Sequence, residues 1–336
     1  MIKINNFKKI KKLIIAEIGN NHEGSLKNAF KLINHAILGG ADAIKFQVFS
    51  TEKFQSYSDI KRFKKLKRFE LGNNAFVNLF NYVKKKHKIL IATPLDIDSV
   101  KFLSKYVDVF KISSGDNNFW NMIDCIVSYK KPIIISTGMS NLKDIYKIRN
   151  FLKDKIKKDK VCLLHCVSSY PTENKDANLL AIRFLKNKLD YEIGYSDHTI
   201  GIFACKMAFS LGAKIIEKHF TLNHNFSKFR DHKISATKDQ LQDLNKFILK
   251  FIEISGSENK IITSNEKLNI NNSRRSPYAN KDLKKGHLIK SKDIIFLRPK
   301  KYFSTENYSK ILGKKIIKDI KKGNSFNNQN TGIKIN

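Results

Sequence analysis

Cysteine is scarce in this chain. Its four copies in 336 residues, Cys125, Cys162, Cys166 and Cys205, all lie in apolar runs and none falls in a CxxC spacing. That pattern excludes a disulfide scaffold or a zinc knot and leaves reduced core thiols, as expected of a cytoplasmic protein. Long apolar runs are missing as well: none approaches the roughly 20 residues that a helix needs to cross a bilayer, so no membrane partner is expected. The opening MIKINNFKKIKKLIIAEIG has basic residues but only a short apolar stretch, lacks a small-residue cleavage site and runs straight into a core-like strand. It does not read as a signal peptide. Acidic residues are few, 30 against 64 Lys and Arg, for a formal charge of +34. Such an excess invites a nucleic-acid reading. The basic clusters KKIKK, KKLKR, KKK and KKDK fall where exposed helix faces or loops belong, however, and no aromatic-interleaved RNA-binding signature accompanies them. Lysine reads as the filler of solvated positions in a chain also rich in Asn, Ile and Phe, and no nucleic-acid partner is expected. A positive field would still draw in an anionic small substrate.

What is present is enough apolar residue for a sizeable core, 41% of the chain, in a length that a single domain rarely fills. Short apolar runs alternate with segments of helical period eight times before about residue 255. The strand candidates are LIIAEIG at 13–19, AIKFQVF at 43–49, ILIATPL at 89–95, VFKISSG at 109–115, IIISTGM at 133–139, VCLLHCV at 161–167, YEIGYSD at 191–197 and KIIEKHF at 214–220. Amphipathic stretches at 26–40, 75–86, 142–155, 203–213 and 239–255 lie between or after them. Eight strand-then-helix units predict a (β/α)8 barrel, the TIM-barrel fold. A doubly wound sheet is the alternative, but no GxGxxG turn follows the first strand. The barrel domain is placed at 1–258 and a polar, Asn- and Ser-rich linker at 259–273. A small domain of short strands and frequent turns at 274–336 would be marginal alone and should pack on a partner.

Polar residues crowd the carboxyl end of almost every strand candidate: Glu17, Lys45 with Gln47, Thr93, Ser113 with Ser114, Ser136 with Thr137, His165 with Ser168, Ser196 with His198, and Glu217 with His219. In a barrel these converge on the face where such folds place their chemistry. His198 and His219 are one strand-helix-strand step apart. Each would stand at the top of a neighbouring strand, about 5 Å from the other, and two imidazoles so placed can share a divalent metal such as manganese, iron or zinc. Lys45, Lys111 and Lys218 each interrupt an apolar run, and burying an ammonium is costly unless it meets an anion or acts as an imine-forming amine. Lys218 neighbours His219 and should face the other side of its strand. Lys45 shares a face with Gln47 and reads as an anion clamp. Ser114, Ser136, Ser168, Ser196 and Thr93 supply the hydroxyl donors that suit a phosphate or carboxylate.

The motifs AEIGNNHEGSLKNA, GADAIKFQ, ATPLD, FKISSGD, IIISTGM, LLHCVSSYPT, IGYSDHT and IIEKHFT, in this order, resemble those of the sialic acid synthases. These N-acylneuraminate synthases condense phosphoenolpyruvate with an N-acyl amino sugar. RRSPYANKDLKKGHLI and LGKKIIKDIKKG resemble the SAF (antifreeze-like) domain appended to them. The resemblance implies a barrel that binds manganese, with magnesium or cobalt as alternatives, through His198 and His219. It implies Glu17 as acid/base, phosphoenolpyruvate held by Lys45, Thr93, Ser114, Ser136, Ser168 and Ser196, and the sugar met by Gln47, Tyr170 and Asp231. Arg298 is implied to reach the N-acyl group across a domain-swapped homodimer. The chain departs from the family pattern at Leu95, where an aromatic residue is common, at Ser168, where some members have Asn, and in 223–235, which lacks the usual proline-glycine. Arg298 and Pro299 are kept, but the glycine-containing loop that often follows is not. N-Acetylmannosamine is the default acceptor, and a 2,4-diacetamido-trideoxyhexose leading to legionaminic or pseudaminic acid is the alternative. A chemical rival is a lysine-dependent aldolase of the same fold, with Lys111 or Lys218 as imine former; trapping with pyruvate and borohydride separates the two. A purely binding or ice-surface role, which the tail's antifreeze-like resemblance raises, would leave the convergent polar residues without a purpose.

Overall fold

A computed structural model describes residues 4–334. Eight parallel strands form a closed barrel in sequence order: β1 (Leu13–Glu17), β2 (Ala43–Val48), β3 (Ile89–Pro94), β4 (Val109–Ile112), β5 (Ile133–Ser136), β6 (Val161–Cys166), β7 (Glu192–Asp197) and β8 (Ile215–His219). Each lies inside its expected window and is one to three residues shorter, ending where inward polar side chains give way to loop. Side chains alternate across each strand. One set, which includes Ile14, Ala16, Ile44, Phe46, Leu90, Ile135 and Ile216, packs outward against the helices. The other, with Leu13, Ile15, Ala43, Ile91, Val109, Ile134, Leu164 and Ile215, fills the barrel's interior. Ile4 and Phe7, from the segment before β1, join the interior cluster, so the amino-terminal end of the barrel is filled with hydrocarbon.

Gly194 in β7 belongs to this packing: a Cβ there would meet the Ile215 carbonyl oxygen at 2.5 Å and Leu164 at 2.6 Å. Register sets which polar residues share a level. Glu17 is level with Lys45 on one side and with His219 on the other, Gln47 with Thr93, and Ser196 with Glu217.

The helices Leu26–Leu38, Asn73–Lys85, Leu142–Leu152, Phe203–Ser210 and Lys238–Ser255 fall on the amphipathic stretches. Others were not anticipated, among them Ile60–Phe69, which buries Phe63 and Phe69 in the excursion after β2. No helix among the described residues is long and apolar enough to cross a membrane.

The chain divides into two compact units, Met1–Gly256 and Ser257–Asn336. The second holds a two-stranded antiparallel sheet of β9 (Ser276–Ala279) and β10 (Ile294–Leu297). Its own small core contains Leu283, Ile289, Phe303, Ile311, Ile316, Ile320 and Phe326. The segment read as a linker carries the helix Ser264–Ser273, begun by a capping box between Thr263 and Glu266.

Candidate active site

The carboxyl ends of the strands surround a cavity of about 560 Å³. Its walls bring together Glu17, Lys45, Gln47, Thr93, Ser114, Ser136, Ser168, Tyr170, Ser196, His198 and His219. Asp231, in the short helix Asp231–Ile234, lines an adjoining cavity of about 370 Å³ with Gln47, Tyr170 and His219. Arg298 lies in the second unit, exposed just beyond β10. Not every polar residue at a strand end turns inward. His165 and Thr137 point outward by alternation: His165 Nε2 bonds the Ala177 carbonyl at 2.9 Å, and Thr137 Oγ1 donates to Leu164 O at 3.0 Å.

Four charged side chains form the deep layer. Lys45 Nζ is 2.9 Å from Glu17 Oε2 and 3.6 Å from Glu217 Oε1, and Lys111 Nζ is 3.9 Å from Glu217 Oε1. Gln47 donates to Glu17 Oε1 at 2.7 Å, Ser196 to Glu217 Oε1 at 3.0 Å, and Lys111 to Ser136 Oγ at 2.6 Å. Burial raises the pKa of Glu17 above the usual carboxylate range despite the attraction of Lys45. Glu217 is equally buried, but Lys111 and Lys45 outweigh its desolvation and hold it down at about 2. Burial lowers Lys111, whereas the attraction of Glu17 and Glu217 outweighs burial at Lys45 and raises it. One carboxyl therefore favours its proton and the other stays ionised; Glu17 Oε2 faces the Lys45 ammonium, whereas Glu217 Oε2 is buried without a hydrogen-bond partner. Above this layer the Ser114 hydroxyl accepts from Gly138 N at 3.1 Å. Gly138 has no side chain to spare room for: a Cβ would come within 2.3 Å of Ser168 Oγ and 2.6 Å of Ser114 Oγ.

The ring centroids of His198 and His219 are 5.5 Å apart, and Tyr170 stacks on His198 at 4.1 Å. His198 Nδ1 lies 2.8 Å from the Val167 carbonyl, which fixes the proton there and leaves the Nε2 lone pair free. His219 is held down to about 3 by burial, so its ring is neutral, and its buried Nδ1 has no hydrogen-bond partner, the Asp231 carboxylate being 4.0 Å away. Against burial, Cys166 and the Val167 carbonyl raise the pKa of His198; with Nε2 of His198 and the unpartnered Nδ1 of His219 as donors, the pair fits a borderline divalent cation. Among the described residues no group of three or more His, Cys, Asp or Glu could hold a metal, so such a cation would keep several positions open for water and substrate.

Sequence reasoning left Lys111 and Glu217 out of the assigned site. Glu217 shares parity with His219, and Lys111 with Val109 of the barrel interior, so alternation alone could have found both. Arg62 and Arg230 also line both cavities; Arg62 comes from the unanticipated helix Ile60–Phe69. Lys218 faces outward, as alternation requires, and its ammonium is bonded to Asp197, which removes it as an imine former.

The NeuB family model matches residues 32–260 and the SAF domain model residues 274–326. The chain is 36% identical over 326 residues to N,N'-diacetyllegionaminic acid synthase of Campylobacter jejuni, covering 93% of this chain and 97% of that one. It is 34% identical over 340 residues to pseudaminic acid synthase of the same species, covering 97% and 98%. The crystal structure of N-acetylneuraminic acid (sialic acid) synthetase from Leptospira borgpetersenii superposes with a TM-score of 0.73 at 34% identity, over 77% of this chain and 90% of that one.

Proposed function

The chain belongs to the NeuB family and is an enzyme of the sialic acid synthase kind; on that premise we propose that it condenses phosphoenolpyruvate with an N-acyl amino sugar to give a nonulosonic acid and phosphate. The observation that carries this reading is the buried layer of two lysines and two carboxylates beneath a paired imidazole, ringed by serine hydroxyls. Lys45 and Lys111 offer cationic donors, and Thr93, Ser114, Ser136, Ser168 and Ser196 offer neutral ones, to an anion that carries both phosphate and carboxylate. The methylene carbon of phosphoenolpyruvate bonds to the aldehyde carbon of the open-chain acceptor, whose oxygen takes up a proton. Water adds at the enol carbon and loses a proton, and phosphate leaves with the bridging oxygen, so the carbonyl of the new keto acid forms there. Glu17, with its raised pKa, takes and returns the proton of that water. Glu217 stays ionised and orients both lysines. A divalent cation held by His198 and His219, manganese in this reading, would supply Lewis-acid polarisation of the acceptor carbonyl.

Gln47, Tyr170 and Asp231 would meet the sugar. N-Acetylmannosamine is the simplest acceptor, but Phe54, Leu66, Leu95 and Phe229 give the adjoining cavity an apolar wall, which suits the deoxy carbons of a 2,4-diacetamido-trideoxyhexose better. An apolar site discriminates such a methyl from a hydroxymethyl by about 100-fold at most. Arg298 is assigned to the N-acyl group of an acceptor bound by a second copy of the chain, in a swapped homodimer. The enzyme would work in the cytoplasm, where its four free cysteines stay reduced. Phosphate release with phosphoenolpyruvate and a panel of amino sugars tests the reading. Release should require both substrates and be fastest with the trideoxyhexose; phosphoenolpyruvate left intact with every acceptor would end it.

A further inference from the structure

Lys218 points away from the cavity and is wholly buried, so the condensation gives it no task. Its ammonium donates to Asp197 Oδ2 at 2.6 Å and to the Thr199 carbonyl at 2.6 Å, and both side chains of the ion pair are fully shielded. Asp197 also accepts from Tyr195 Oη at 3.0 Å, Thr199 N at 2.9 Å, Thr199 Oγ1 at 3.2 Å and Cys205 Sγ at 3.2 Å. Stability does not account for such a pair, because apolar side chains of the same volume serve as well or better; the best-attested use of a buried ion pair is to fix a register.

The register here ends at the site. Asp197 and Lys218 form the last paired rung between β7 and β8; His198 is the residue that follows β7, and His219 is the residue after Lys218 at the end of β8. Beyond that rung the two chains part. The His198 carbonyl accepts from Thr172 N at 2.9 Å, whereas His219 is level with Glu17 of β1 and its carbonyl accepts from Ala236 N at 2.7 Å. Lys218 thus grips the residues on both sides of His198 while its own neighbour is His219. We infer that the buried Lys218–Asp197 pair is a positioning device that sets the spacing and mutual angle of the His198 and His219 rings, and through them the affinity for a divalent cation.

This inference rests on the metal reading above, and titration of the full chain with Mn²⁺ alone, following the free aquo ion by electron paramagnetic resonance, tests the two separately. The double variant Asp197→Asn/Lys218→Met removes both charges together, so neither is left buried alone. It should melt cooperatively above the titration temperature and bind Mn²⁺ about tenfold or more weakly, the usual effect of losing a group that orients a metal ligand. Wild-type Mn²⁺ affinity in that folded variant would overturn the inference. Tyr195→Phe deletes one donor to Asp197 and decides the matter if the double variant does not fold: a weaker Mn²⁺ affinity with an intact fold supports the positioning role, an unchanged one refutes it. His198→Ala serves as the control on the premise, since undiminished Mn²⁺ binding there would overturn the metal reading itself.

Discussion

Glu17 and Glu217 are the same residue type in one cavity, on neighbouring strands, and their protonation tendencies are opposite. Glu217 has two lysines and the Ser196 hydroxyl near its charged form, whereas burial dominates at Glu17. Carboxyls pushed apart in this way divide into a proton carrier and a fixed charge. If Glu17 must be ionised to accept a proton from water, lowering the pH through its raised pKa removes the active form. The acid limb of the kcat profile should therefore lie above the 4.5 of an ordinary glutamate. In Glu17→Gln that limb should vanish and kcat fall about 100-fold or more, whereas Lys45→Ala should chiefly raise the KM for phosphoenolpyruvate. Steady-state kinetics from pH 4 to 9 distinguish the two, and an unmoved acid limb in Glu17→Gln would remove Glu17 from the proton-carrier role. At this scale the sequence was partly legible. Alternation sorted Lys218 from Lys45, but the partner of Lys218 was not readable, because Asp197 is 21 positions away and meets it only once the strand register is known.

Among the elements, strands were far more legible than helices. Strands buried on both faces are near-continuous apolar runs, and ILIATP or VCLLHC can be little else. Ile60–Phe69 was hidden because six of its ten residues are lysine or arginine, so it read as a basic cluster. Ser264–Ser273 buries nothing and shows itself only through Thr263 and Glu266. Two glycines show how an element's packing and its chemistry separate. A methyl at Gly194 would meet a backbone carbonyl of β8, which cannot rotate away. Gly194→Ala should therefore destabilise the barrel by about 2 kcal/mol or more, within the range for overpacked cores, and lower the melting temperature. At Gly138 the two nearest obstacles are serine hydroxyls that can swing aside into the cavity, with Ser114 Cβ behind them at 3.0 Å. Gly138→Ala should melt close to wild type and lose affinity for phosphoenolpyruvate. Thermal unfolding and substrate titration of the pair check this, and equal melting losses in both variants would refute the distinction.

At the level of the whole molecule, the topology made the site readable. Once eight units close in order, every strand's carboxyl end lies on one rim, and scattered residues from 17 to 219 become neighbours. The segment 231–235, which supplies Asp231, was placed by resemblance alone; its position depends on Asn21, whose side chain bonds Phe220 O and Ser235 Oγ, a long-range contact with no local signature. The net charge of +34 should speed capture of an anionic substrate. We expect kcat/KM for phosphoenolpyruvate to fall several-fold between about 0.05 and 0.5 M salt while kcat at saturation holds, because added ions screen the field beyond a few ångströms. A flat profile would leave the lysines as solvated filler.

Hydrocarbon from Leu13 to Ile215, stoppered by Ile4 and Phe7, closes the amino-terminal end of the barrel, so the cavity is approached from the carboxyl-terminal rim. In the proposed reaction an anion lodging against Lys45 and Lys111 would come in ahead of the sugar that settles over it. On the proposed condensation, turnover would then acquire a queue: phosphoenolpyruvate would enter first, the sugar would follow, and inorganic phosphate would wait behind the larger product until that has gone.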